Sequence, residues 1–274
     1  MKFQSVFIIF NVLLIILFAI ICITPALFLE SALVMAFWQT NWFILLILFI
    51  ALAGFDIFYL FNRKLYALLE KEDWPALATY LEEKVIQNGK YTPRLVRLLA
   101  NAYLVLSDSP GVMSLENKAV MAKPALVEKN ALVFGTARIL GKDTAGAIHF
   151  FETRMNSAHP KIRQWIQWYY GFAMLLNRQN EKALDEFSRL AVTCDDAVIT
   201  GLAAYFLHTI RTHVPDKSDS YAVSAMNGRE RVLKSLPEKK NWVAETGKII
   251  AEIHIAVISK YIDEAGHWIY KESK

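Results

Sequence analysis

At 274 residues, 55% of them hydrophobic and with a mean hydropathy of +0.28, the chain is too apolar for an ordinary soluble protein. Its net charge of +4, with no dense lysine and arginine block, excludes the electrostatic footprint of nucleic-acid binding. Two distant cysteines, Cys22 and Cys194, make neither a disulfide framework nor a CxxC metal site.

The apolar excess sits at the N-terminus. Residues 1–61 hold only Lys2, Glu30 and Asp56 as charged side chains, which leaves 29 basic against 24 acidic beyond them. Residues 6–29 and 42–61 are apolar runs long enough to cross about 30 Å of hydrocarbon as helices. The first is too long for a signal-peptide core, and Ile21 before Cys22 is the wrong residue for a lipoprotein anchor. Trp38, Trp42 and Tyr59 suit the headgroup zone. Lys2 precedes the first span, Arg63, Lys64 and Lys71 follow the second, and 30–41 holds no basic residue. This bias predicts a two-span hairpin of the inner membrane, with a short external loop and both termini and the large domain cytoplasmic. Asn11 and Asp56 are its polar residues, expected at similar depth and to hydrogen-bond each other as hairpin glue. An intramembrane acid also marks a functional candidate. Ala51, Ala53 and Gly54 suggest a small-residue face for close packing.

Residues 62–274 predict an all-α domain of repeated helical hairpins. Gly135 and Gly171, Ala147 and Ala183, Phe151 and Phe187, and Pro124 and Pro160 all recur at one offset of 36. Units at about 124–159 and 160–195 follow, in which glycine admits a close neighbour and the alanine and aromatic lie one turn apart on one face. Ala76 and Tyr80 suggest an earlier copy. Between them, Thr92 and Pro93 open a first helix, while 107–123 reads as degenerate and loop-like. Beyond the clear copies, 195–212 is expected to be another first helix, 214–228 a loop, and 241–270 one long capping helix.

Gly, then Ala-x-x-x-Phe, then Pro in a unit of this length resembles the tetratricopeptide repeat, and Sel1-like or general α-solenoid repeats share the pattern. Arg138 and Met174 stand where that family carries an aromatic after the glycine. A membrane hairpin before such repeats is also similar to the architecture of the HemY proteins. The resemblance implies a concave face built from first helices that binds protein segments. On it, Trp165, Trp168, Phe172 and Leu175 form an apolar stripe that reads as either core or groove, and Lys129 falls on the matching face of the preceding unit. Neither a metal-ligand spacing among the six histidines nor a phosphate loop or nucleophile elbow occurs, so no enzyme, metal or cofactor is expected. The expected role is a scaffold that holds a protein partner at the bilayer, with a hairpin acting through Asp56 as the second reading.

Overall fold

The computed structural model describes residues 3–156, 160–250 and 252–271. His159 falls outside them. The chain divides into two compact units, Met1–Tyr80 and Leu81–Lys274. Every regular element among the described residues is helical.

Unit one begins with α1 (Phe3–Phe28) and α2 (Ser31–Glu70), both long and apolar enough to cross a membrane. At 26 residues α1 is about 39 Å long. The chain reverses at Leu29–Glu30, so the expected loop over 30–41 is corrected to helix. The stretch SALVMAFWQT contains no glycine or proline to stop a helix, and the interruption comes instead as a kink at Asn41 (φ −115°, ψ 16°).

The hairpin seam is aromatic. Phe7 stacks on Tyr59 at 3.7 Å, and Phe10 lies 4.3 Å from Phe55. The small-residue face is corrected: Ala51 and Gly54 are exposed, and a Cβ at Gly54 would meet nothing within 4 Å. The Asn11–Asp56 bond is corrected as well. Asn11 donates to the Phe7 carbonyl at 3.2 Å, as Thr24, Thr40 and Asn41 donate to carbonyls four residues back. Such self-satisfaction suits hydrocarbon, where no water replaces a missing partner. Asp56 departs from this habit, with a buried Oδ1 that has no hydrogen-bond partner among the described residues.

One turn is built four times along the chain. Glu72, Ser107, Lys142 and Arg178, spaced 35, 35 and 36 residues apart, all have φ between 52° and 61°. After each, the next N–H closes on a carbonyl five residues back: Asp73 on Leu68, Asp108 on Tyr103, Asp143 on Arg138 and Gln179 on Met174. These bonds satisfy carbonyls that a helix end leaves bare. In the first three turns the aspartate then caps the following helix, accepting from the N–H of Ala76, Gly111 and Gly146 at 2.9–3.1 Å. The turns join α2 to α3 (Trp74–Glu82), α4 (Pro93–Val105) to α5 (Ser109–Ala122), α7 (Ala131–Leu140) to α8 (Thr144–Glu152), and α9 (Pro160–Leu176) to α10 (Asn180–Thr193). The short α6 (Ala125–Lys129) precedes α7.

Three expectations change with this register. The segment 107–123 is helix α5, started by the Asp108 cap and Pro110. Counting from the turns, Leu77 and Leu81 take the places of Ala147 and Phe151, each 70 residues on, and both are almost fully buried. Ala76 is half-buried, and Tyr80 is buried beneath the Lys64 ammonium, 4.9 Å from its ring. The pair chosen by alanine spacing is therefore one residue early.

The two clear copies pack as glycine demands. Ala147, Phe151, Ala183 and Phe187 are fully buried. A Cβ at Gly135 would overlap the Phe151 ring, and one at Gly171 would stand 3.0 Å from Phe187 Cε1. Gly135→Ala should therefore lose about 1–3 kcal/mol by overpacking, and Gly171→Ala less, because its ring stands back. Denaturant midpoints of the full chain in nanodiscs check the order, and equal midpoints would refute it.

Beyond the array, α11 (Ala197–Ile210) forms as expected, its N-terminus capped by Asp196. The expected loop over 214–228 is corrected to a short 3₁₀ turn at Pro215–Lys217 and α12 (Ser218–Ser235), after a first 3₁₀ turn at Arg211–His213. A Cβ at Gly228 would meet Ala204 at 2.9 Å and Ala191 at 3.1 Å, so this glycine lets α12 close onto α10 and α11. The single capping helix is corrected to α13 (Lys239–Ile249) and α14 (Ile253–Ile269). α14 lies against α7 and α11.

Candidate functional site

The aromatic stripe on α9 is core. Trp165, Trp168 and Phe172 are 8%, 0% and 5% exposed, and Leu175 is half-buried. The cause is α14. Tyr261 sits 5.8 Å from Phe172 and 5.2 Å from Phe206 of α11, and His254 packs 5.6 Å from Trp165. Trp168 stacks on Phe172 at 5.2 Å and meets Phe206 edge-on at 5.7 Å. The Tyr169 hydroxyl donates to the His254 carbonyl at 2.6 Å, and burial pushes its phenol well above the ordinary range. The reading of the stripe as a docking groove is corrected, because this chain's own helix fills that face.

Lys129 behaves differently. It is exposed, and it lines an open cavity of about 390 Å³ formed by four segments of the second unit, with Ile162 of α9 on its apolar wall. From α4 come Arg97 and Asn101, from the α6–α7 junction Lys129, Asn130 and Leu132, and from the start of α14 Glu252 and His254. Arg97 and Asn101 share a face because they are four residues apart on a helix. Asn130 is nearly fully buried, accepts from Arg97 Nε at 3.3 Å and donates to the Leu126 carbonyl at 2.8 Å. That pair pins the arginine stem and orients its remaining nitrogens. His254 Nε2 meets Glu252 Oε2 at 2.9 Å. This hydrogen bond holds the Glu252 carboxyl below its usual range, with the nearby Arg97 charge adding to it. Asn101 Oδ1 is buried with no partner among the described residues.

The arrangement combines two cations, one of them held by Asn130, with one paired carboxylate and an apolar wall, which is the composition of a recognition site. Among the described residues no three His, Cys, Asp or Glu side chains gather as a metal would require. Cys194 is buried, which pushes its thiol up to about 11, away from nucleophile chemistry. Of the sequence candidates, only Lys129 reaches the cavity. Arg97, Asn101, Asn130, Glu252 and His254 were not singled out, and only the i, i+4 spacing of Arg97 and Asn101 offered a local hint.

Residues 111–271, from early in α5 to just past α14, match the family described as Uncharacterised Treponema protein. The chain belongs to that family. A relative from Treponema pallidum (strain Nichols), described as an uncharacterized protein, is 31% identical over 175 residues. The alignment covers 64% of this chain and 53% of the relative, so the chain spans about half of that protein's length. No solved structure matches. The Treponema family region takes in the aromatic core, α14, Lys129, Asn130, Glu252 and His254, whereas Arg97 and Asn101 precede it.

Proposed function

We propose that this protein is a membrane-anchored scaffold of tetratricopeptide-like hairpins that holds a protein partner at the cytoplasmic face of the inner membrane. A structural subunit of an envelope complex, in secretion, motility or division, fits this role, and it needs no catalytic chemistry. The observation that carries the reading is the turn built four times at 35, 35 and 36 residues, following two helices apolar enough to span a bilayer. A stack of hairpins gives extended contact area, and an anchor confines the search for a partner to two dimensions. Arg63, Lys64 and Lys71, beyond the apolar run 42–61, and the lack of a basic residue over 30–41 favour cytoplasmic termini. With the α9 stripe filled, the cavity around Lys129 and the outer faces of the hairpins are the surfaces left for contact.

Crosslinking mass spectrometry on intact membranes carrying the full chain is expected to return one partner, with links to lysines of residues 81–274. Links only within the chain, together with purification free of any other protein, would refute the scaffold. The second reading, a hairpin acting through Asp56, is favoured by its buried carboxylate oxygen, which has no hydrogen-bond partner among the described residues. Asp56→Asn separates the two: the scaffold reading expects normal insertion and an unchanged crosslink pattern, with function intact.

A further inference from the structure

We infer that the cavity between α4, the α6–α7 junction and the start of α14 binds a small organic anion, a carboxylate or phosphate monoester with a mainly apolar body. This goes beyond the scaffold role and does not depend on a protein partner.

The charges argue for the anion. Arg97 and Lys129 face the same cavity, and among the described residues neither has a carboxylate within ion-pair distance. The lining carboxylate is engaged, since Glu252 is held by His254 at 2.9 Å, and the neutral Asn130 amide is occupied by Arg97 Nε and the Leu126 carbonyl. Because Arg97 Nε is tied to Asn130, its two terminal nitrogens present the fork that grips a carboxylate or phosphate with two parallel hydrogen bonds. Lys129 supplies a second, mobile cation beside it.

The walls argue for the size and body. A volume of about 390 Å³ lies within the range of small-molecule sites. Leu132, Val133, Ile162 and Ile253 offer it apolar surface. Asn101 adds a polar amide to the lining. A bare inorganic ion would leave the apolar surface unused.

The test is titration calorimetry on the full chain in nanodiscs, with four probes sharing one ring: phenyl phosphate, benzoate, benzamide and benzylamine. Both anions, or one of them, should bind at least about tenfold tighter than benzamide, and benzylamine weakest, since a charge-assisted hydrogen bond is worth that much or more. The stronger anion tells whether the natural head group is phosphate or carboxylate. Lys129→Gln, an exposed position, should weaken the better anion about tenfold at an unchanged thermal midpoint, and Arg97→Gln should weaken it further. Glu252→Gln, which removes the opposing charge, should tighten it. Benzylamine or benzamide binding as well as the anions, unchanged affinity in Lys129→Gln, or no anion binding at millimolar concentration would each overturn the proposal. None of these results bears on crosslinking to a protein partner, so the two readings fail separately.

Discussion

Glu116→Ala is expected to cost about 3–5 kcal/mol, among the largest losses any single substitution in α5 can cause. Glu116 and Arg138 form an ion pair at 2.6 Å whose side chains are only 8% and 12% exposed. The same guanidinium donates to the Phe134 carbonyl at 3.2 Å and lies 4.3 Å from the Phe150 ring. Removing the carboxylate strands the arginine between an apolar ring and a helix backbone, where desolvation of the charge is uncompensated. Replacing both members, Glu116→Leu with Arg138→Leu, should recover most of the loss, because two apolar side chains need no partner. A double-mutant cycle on denaturant unfolding reads the difference, and hydrogen exchange in α5 and α7 locates it. If the single substitution cost less than about 1 kcal/mol, the pair would be no more than a surface contact.

This pair also explains why one repeat was illegible in the sequence. Counting back 35 residues, Glu116 stands where Phe151 stands in the next unit, and Ala100 where Gly135 does. The small and aromatic signature is therefore absent from α5, and its segment reads as loop. Arg138 is the other departure, a charged residue where the repeat pattern has an aromatic. The two departures answer each other across adjacent hairpins, each satisfying a charge that neither unit could bury alone. Pattern matching treats them as two independent defects, and only their contact shows that they are one exchange.

What was legible followed from physics confined to a short stretch. Two apolar runs imply helices whatever follows them, and Gly135 with Phe151 or Gly171 with Phe187 are close-packed partners within one hairpin. Local chemistry overlooked was the row of aspartates at 73, 108 and 143, each closing a left-handed turn and capping the next helix. Their spacing of 35 hides behind the 36 of the two clear copies. The cavity was not legible. Arg97, Lys129 and Glu252 come together through the packing of α4, α7 and α14, and no spacing along the chain encodes that meeting. The α9 stripe failed as a docking groove for a related reason. Its spacing is right for a face that something covers, but helical period alone cannot say whether the cover is a partner or the chain's own C-terminal helix.

That last distinction is open to experiment, and it predicts the other large effect. Trp168→Ala should destabilise the second unit by about 3–5 kcal/mol, since it empties a fully buried site packed by Phe172, Phe187 and Phe206. A chain ending at residue 250 should lose more, because α14 buries Ile255, Ile258, Ile262, Ala265 and Ile269 almost completely. It also removes the carbonyl that accepts from Tyr169. Hydrogen exchange on the full-length and shortened chains decides between core helix and removable cover. Loss of protection throughout α7, α9 and α11 on shortening is the expected result, and it makes α14 part of the fold. Retained protection in those helices, with Trp165 and Phe172 newly open to solvent, would instead make α14 a cover over a preformed groove. The aromatic stripe would then regain its standing as a docking surface, with this chain's own helix as its first occupant.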